Sequence, residues 1–171
     1  VSDYAYFGAD ASALAGAVVA SPGGSWSMAH NPAGITEVEN LQFSFGSGNL
    51  FGFSWLPAYH MNAIIKLPVL GNAGIAFYQI NTSYQDVELS SEQTLSIANG
   101  YTLQEDNNSH LSIGFTVNLV QWELGNSAGV SGDGTDGLAL GSLRSFTFDL
   151  GVQSSLREKY RFGAAMKNIN S

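Results

Sequence analysis

Three histidines, His30, His60 and His110, are the side chains best suited to general acid–base work or zinc ligation. They are scattered through the sequence and follow no ligand spacing. No HExxH pair, phosphate-binding glycine loop, GxSxG turn or dinucleotide fingerprint occurs. Zero cysteines remove thiolate metal sites, iron–sulfur clusters, disulfides and cysteine nucleophiles together. Asp133 and Asp136, in GDGTDG, place carboxylate oxygens on a glycine-rich loop and are weak calcium candidates. The Asp-x-Asp-x-Asp-Gly spacing with a distal Glu is not met, so a solvated turn explains them better. Asp149 has Arg144, Arg161 and Lys167 near it in sequence. It suits an ion-pair network inside a barrel, or an ordinary solvent-facing charge. The expectation is a non-enzymatic protein with no catalytic residue, no metal and no cofactor.

Composition narrows the class. The chain has 171 residues, 44% hydrophobic, 12% aromatic and only 12% charged, with 20 glycines. A soluble domain carries about a quarter charged residues, and a disordered one carries fewer aromatics. The net charge of −8 argues against nucleic acid as a partner. No apolar run approaches the roughly 20 residues of a membrane-spanning helix. An apolar, charge-poor, glycine- and aromatic-rich chain without such a run points to β-structure, in lipid or as a two-sheet sandwich.

Residues 1–40 read as an arm. Val1 to Ala9 has neither a basic start nor a continuous apolar stretch, so an exported form is expected to be the mature one. Residues 10–20 predict a short helix capped by Asp10 or Ser12. Ser21 to Gly24 and Asn31 to Gly34 predict turns, the second with Gly34 at positive φ. The near absence of charge suggests that the arm folds inside something.

From Leu41 the hydrophobic period becomes two. Candidate strands lie at 41–47, 51–55, 61–67, 73–80, 94–103, 109–119, 145–153 and 159–169, about eight, with a short extra one at 84–89. Pro68 and Gly71-Asn72 read as a turn. The alternation is cleanest where Leu111, Ile113, Phe115, Val117 and Leu119 face one way and Ser112, Gly114, Thr116 and Asn118 the other. Phe43 and Phe45, and Phe146, Phe148 and Leu150, repeat the pattern. The phase slips at Leu119-Val120, which predicts a β-bulge or an exit from the sheet. Residues 125–144 read as a long glycine-rich loop.

Alternation alone fits both a sandwich, whose apolar faces meet in a dry core, and a transmembrane barrel, whose apolar faces meet lipid. Three features favour the barrel. The polar faces carry Ser, Thr, Gly and Asn rather than Lys and Glu. Several strands are long enough to cross a bilayer when tilted. Trp55, Tyr59, Tyr84, Tyr101, Trp122 and Tyr160 sit near strand ends, as belt aromatics do. The expected architecture is one all-β domain, an antiparallel transmembrane β-barrel or part of one, with residues 1–40 as an N-terminal plug containing a short helix and strands over 41–171.

The segments AGAVVA (15–20) and NPAGI (31–35), followed in order by the strand blocks at 59–78 and 109–119, FDLG (148–151) and FGAAMKNI (162–169), resemble the PorV/PorQ-type outer-membrane proteins, relatives of FadL-like fatty-acid transporter barrels. The resemblance covers nearly the whole chain. It implies a lumen plug whose turn is Asn31, Pro32, Ala33 and Gly34. It also implies transport of hydrophobic molecules, or type IX protein secretion and surface attachment. Family barrels need more strands than 171 residues hold. The chain is therefore expected to be part of a longer barrel, a short relative of about eight strands, or a subunit completing its sheet with copies.

The lipid-facing candidates are Phe43, Phe45, Leu111, Ile113, Phe115, Val117, Phe146, Phe148 and Leu150. The expected location is the bacterial outer membrane, reached by export. Expected partners are membrane lipid, with secretion-system proteins, surface proteins and further copies of the chain as candidates. The alternative is a structural or adhesive β-protein that completes its sheet with neighbouring subunits at the cell surface.

Overall fold

A computed structural model describes residues 8–21, 23–84, 87–127, 130, 132, 136–157 and 159–170. A short helix, α1 (Ala9–Ala13), opens the described chain, followed by α2 (Ser27–His30) and a 3-10 helix over Pro32–Glu37. Seven strands follow among the described residues: β1 (Gln42–Asn49), β2 (Pro57–Leu67), β3 (Gly71–Tyr84), β4 (Val87–Glu105), β5 (Ser109–Asn126), β6 (Ala139–Leu156) and β7 (Tyr160–Met166). They form one antiparallel sheet in the order β1-β2-β3-β4-β5-β6-β7, curled into a half-barrel. The all-β antiparallel expectation holds. No second sheet faces this one among the described residues, so the sandwich is excluded there.

The strand count falls by one because residues 51–55 are not a strand. Leu50–Gly52 is a 3-10 turn, with Phe51 at φ 55° and Gly52 at φ 77°. Phe53 and Trp55 stack on each other at 5.0 Å within the loop instead. Alternating apolar residues carry no strand here, because the backbone of Phe51 and Gly52 turns. The expected extra strand at 84–89 divides between the end of β3 and the start of β4, and residues 85–86 lie outside the described set. The long loop is shorter than expected: Gly125 and Asn126 belong to β5, and Ala139–Arg144 to β6.

The expected bulge at Leu119-Val120 is absent. β5 pairs without a slip from Leu111 to Leu124 along β6. Register shifts fall instead at Thr82/Ser83 and at Thr102/Gln104. What changes at Val120 is the face that is apolar. By alternation Val120, Trp122 and Leu124 share the face of Asn118, so Trp122 lies opposite the belt face expected for it.

The arm lies on the concave, polar face of the sheet. Met28, Ile35 and Val38 form a small core with Ile64, Ala76 and Ala98. The α1 N-cap is Gly8, with no side-chain cap, rather than Asp10 or Ser12. Asn72 lies within β3, and residues 68–70 make the turn between β2 and β3.

Candidate functional site

Two surfaces of the sheet carry the features of interest, and the pairing register builds both. On the convex face, Phe45, Met61, Phe77, Leu95, Leu119 and Phe146 form a row across β1 to β6. Phe43, Ala63, Ile75, Ile97, Val117 and Phe148 form the next. Below them run Ile65, Ala73, Asn99, Phe115, Leu150 and Met166, then Tyr101, Ile113, Val152 and Ala164. Asn99 and the Tyr101 phenol are the polar groups in these four rows, and the Asn99 amide donates to Leu70 O at 3.0 Å. Phe115, Phe146 and Phe148 are 42%, 53% and 41% exposed, with no layer of protein over them.

The band has a sharp upper border. The row above Phe45–Phe146 reads Ser47, Tyr59, Gln79, Gln93, Gln121 and Arg144. Gln79 and Ser91 both donate to Asn81 Oδ1, and Gln121 donates to Glu123. The polarity switch at Leu119/Val120 is thus a border crossing the sheet, reached by an unbroken strand. From Leu111 to Leu119 is about 26 Å at roughly 3.3 Å per residue.

The concave face is small and polar. Asn72, Gly100, Gly114 and Gly151 form one row across β3 to β6. The segment Asn31–Thr36 lies buried on that row. A Cβ on Gly114 would stand 2.4 Å from the Pro32 carbonyl carbon, and one on Gly100 would stand 2.8 Å from Ile35 Cγ1. The glycines therefore make a trough that admits the arm's backbone.

Side chains then fasten the arm. Asn31 donates to Val19 O at 2.7 Å and to Val152 O at 3.0 Å, and accepts from Ala33 N at 3.1 Å. Asn72 donates to Ile35 O at 2.6 Å and to Val38 O at 2.7 Å. Ser112 donates to Ala33 O, and Gln153 to Ser21 O. Glu37 accepts from Arg161 at 2.6 Å and from Gly23 N at 3.0 Å, tying the arm to β7.

Asn31, Pro32, Ala33 and Gly34 are buried at this seam. They form the N-cap and first turn of a 3-10 helix rather than a free turn. Gly34 does not take positive φ. Its need is space, since a Cβ there would lie 2.9 Å from Ser27 Cβ. Sequence reasoning missed Asn72, Gln153, Glu37 and the glycine row. Glycines of equal rank on successive strands were the readable signal.

The charged residues do not assemble as expected. Arg161 pairs with Glu37, while Asp149 accepts from Asn118 Nδ2 and Asn168 N, each at 2.8 Å. Arg144 stands on the convex face, opposite Asp149. The ion-pair network around Asp149 is replaced by amide donors, because alternation puts Arg144 on the wrong side.

The histidines sit on α2, β2 and β5. His60 packs edge-on against Trp26 at 4.3 Å. Among the described residues no group of three or more His, Asp or Glu could hold a metal. Asp133 lies outside the described residues, and Asp136 sits in the loop between β5 and β6.

In the turn between β4 and β5, the Asp106 carboxylate accepts from Asn108 N, Ser109 N, Ser109 Oγ and Gln104 Nε2 at 2.8–3.2 Å. These donors, the Asn108 amide foremost, hold its carboxyl below the usual carboxylate range, at about 2.

Residues 26–171 match the family described as "F plasmid transfer operon, TraF, protein". No curated protein and no solved structure matches the chain. The family match overturns the resemblance to PorV/PorQ-type and FadL-like proteins. With it go transport of hydrophobic molecules, type IX secretion and surface attachment. The adhesive alternative finds no support either. The residues that carried the resemblance explain the error. NPAGI is buried on the glycine row, where only a compact backbone fits, and that packing requirement specifies no cargo. AGAVVA lies largely outside the trough, with Ala15 and Ala17 exposed.

Proposed function

Because the chain belongs to the family of F plasmid transfer operon TraF proteins, we propose that it is a non-enzymatic outer-membrane component of a plasmid-transfer system. In this reading its curled sheet is a wall of a β-barrel. The convex band lies in the hydrocarbon, and the arm, residues 8–40, plugs the concave side. The family supplies the link to plasmid transfer, and the sheet supplies the setting.

The observation that carries the setting is the bordered band. Four apolar rows, two across β1 to β6, one across β2 to β7 and one across β4 to β7, stand open, and a row of Ser, Tyr, Gln and Arg ends them at one level. Exposed apolar patches above a few hundred Å² need a cover. The polar face of this sheet already has one, in the arm. The nine residues from Leu111 to Leu119 match a tilted membrane strand, and apolar-out, polar-in alternation is the barrel pattern.

Single cysteines in this cysteine-free chain test the setting. A fluorophore on Phe115→Cys should be quenched by brominated lipid in vesicles, and one on Gln121→Cys much less. Equal quenching at both sites, or a folded and monodisperse chain in detergent-free buffer, would refute the reading.

A further inference from the structure

Four strands run on past the border row. β5 continues from Gln121 to Asn126, about 16–17 Å at roughly 3.3 Å per residue. β3, β4 and β6 accompany it as far as Tyr84, Val87 and Ala139. In this projection the two faces exchange polarity. The convex side reads Asn81, Ser91, Glu123 and Ser142. The concave side reads Ile80, Glu92, Trp122 and Leu143, and above that row Thr82, Ser90, Leu124 and Gly141. The arm fills the concave face lower down and leaves Trp122, Leu124 and Leu143 exposed.

Charge is segregated to the same end. Residues 80–93 and 120–144 hold six of the chain's 14 acidic residues, Asp86, Glu88, Glu92, Glu123, Asp133 and Asp136. Of the six basic residues they hold only Arg144. Lys66 and Arg161 lie toward the opposite end of the sheet, and Arg157 in the turn after β6. The projection is thus an apolar floor in an acidic field. Nucleic acid and phosphate headgroups are repelled by it, and a cationic partner is drawn in.

We propose that the concave face of this projection docks a lysine- or arginine-rich amphipathic helix of a second protein. Trp122, Leu124 and Leu143 receive the apolar face of the helix, and Glu88, Glu92 and Glu123 attract its cations. The dimensions agree. Four strands spaced about 4.8 Å apart make a floor about 14 Å wide, and a helix with its side chains is about 10–12 Å across. An apolar helix face laid in a groove is a common mode of recognition, and an accessible tryptophan is the side chain most often found carrying it. A second copy of this chain does not supply the helix. Ala9–Ala13, Ser27–His30 and Pro32–Glu37 contain no Lys or Arg.

The test uses the intact protein in phosphatidylcholine nanodiscs and the dye-labelled peptide LKKLLKLLKKLLKL, with empty nanodiscs as the blank. Fluorescence anisotropy should show saturable binding that weakens as salt is added. Trp122→Ala should weaken it at least about tenfold, and Leu143→Ser should act in the same direction. Glu88, Glu92 and Glu123 changed together to Gln should remove most of the salt dependence. Gln121→Ala, on the convex side of the same strand, should change nothing. Circular dichroism checks that each variant folds. No saturable binding above the blank, equal binding of the acidic peptide LEELLELLEELLEL, or indifference to both Trp122→Ala and Leu143→Ser would overturn the proposal. So would a fluorophore on Trp122→Cys quenched by brominated lipid as strongly as one on Phe115→Cys, which would give the patch to lipid and leave the bilayer setting standing. Peptide binding with neither fluorophore quenched would sink the bilayer setting and leave the docking surface standing.

Discussion

A Cβ built on Gly151 falls 2.0 Å from Asn31 Oδ1 and 2.8 Å from Pro32 Cδ. A residue of β6 and the cap of the arm's 3-10 helix are thus fitted at backbone distance, although 120 residues separate them in sequence. The same seam holds Gly114 against Pro32 and Gly100 against Ile35.

Gly151→Ala should destabilise the fold by about 1–3 kcal/mol, the usual cost of overpacking a filled site. The contact is with a cap and a proline ring that cannot swing aside. Equilibrium unfolding in vesicles or detergent checks the value. Gly48→Ala, where a Cβ meets nothing within 4 Å, should be near neutral.

Asn31→Ala removes one amide that serves Val19 O, Val152 O and Ala33 N. At about 1–3 kcal/mol per buried group left without its partner, the loss should be at least about 2 kcal/mol. Limited proteolysis should then cut the arm before the sheet, because two of the bonds lost lie within the arm and the third ties it to Val152 of β6.

Arginine substitutions should read out depth on the convex face. Phe115→Arg, in the third row below the border, should cost about 2–4 kcal/mol, and Gln121→Arg, above it, about 0–1 kcal/mol. Refolding equilibria in lipid vesicles measure both. Equal costs would remove the case for a hydrocarbon border between those rows.

The Asp106 turn should fail only in strong acid. Its carboxyl is held at about 2 in the folded chain, below the roughly 3.9 of a free aspartate. A lowered pKa means that the unfolded state binds the proton first. The contribution is therefore present above about pH 4 and is lost as pH falls through about 2. Carbon-detected NMR titration of the Asp106 carboxyl should give that midpoint. Asp106→Asn should abolish the transition and speed exchange of the Asn108 and Ser109 amides.

Much of the sheet was legible from residue order alone. The period of two that runs through Leu111, Ile113, Phe115, Val117 and Leu119 states which side chains share a face, because alternation is a local property of extended backbone. The same rule put Ser112, Gly114, Thr116 and Asn118 opposite them. It failed at 51–55, where Phe51 and Gly52 turn the backbone, and at Leu119-Val120. There a change of environment across the sheet looked, along one strand, like a change of geometry.

What lay on each face was decided only by tertiary structure. Apolar alternation is the same whether the greasy side meets a second sheet or open surroundings, and only the folded chain put the arm on the Ser/Gly/Asn side. The partners of Asn31, Asn72, Gln153 and Glu37 were hidden for the same reason. Each is bonded to backbone or to a side chain remote in sequence, at a spacing set by strand register and curl. Residue order specifies the period of a strand, but the meeting of distant strands and arm depends on how the whole sheet packs.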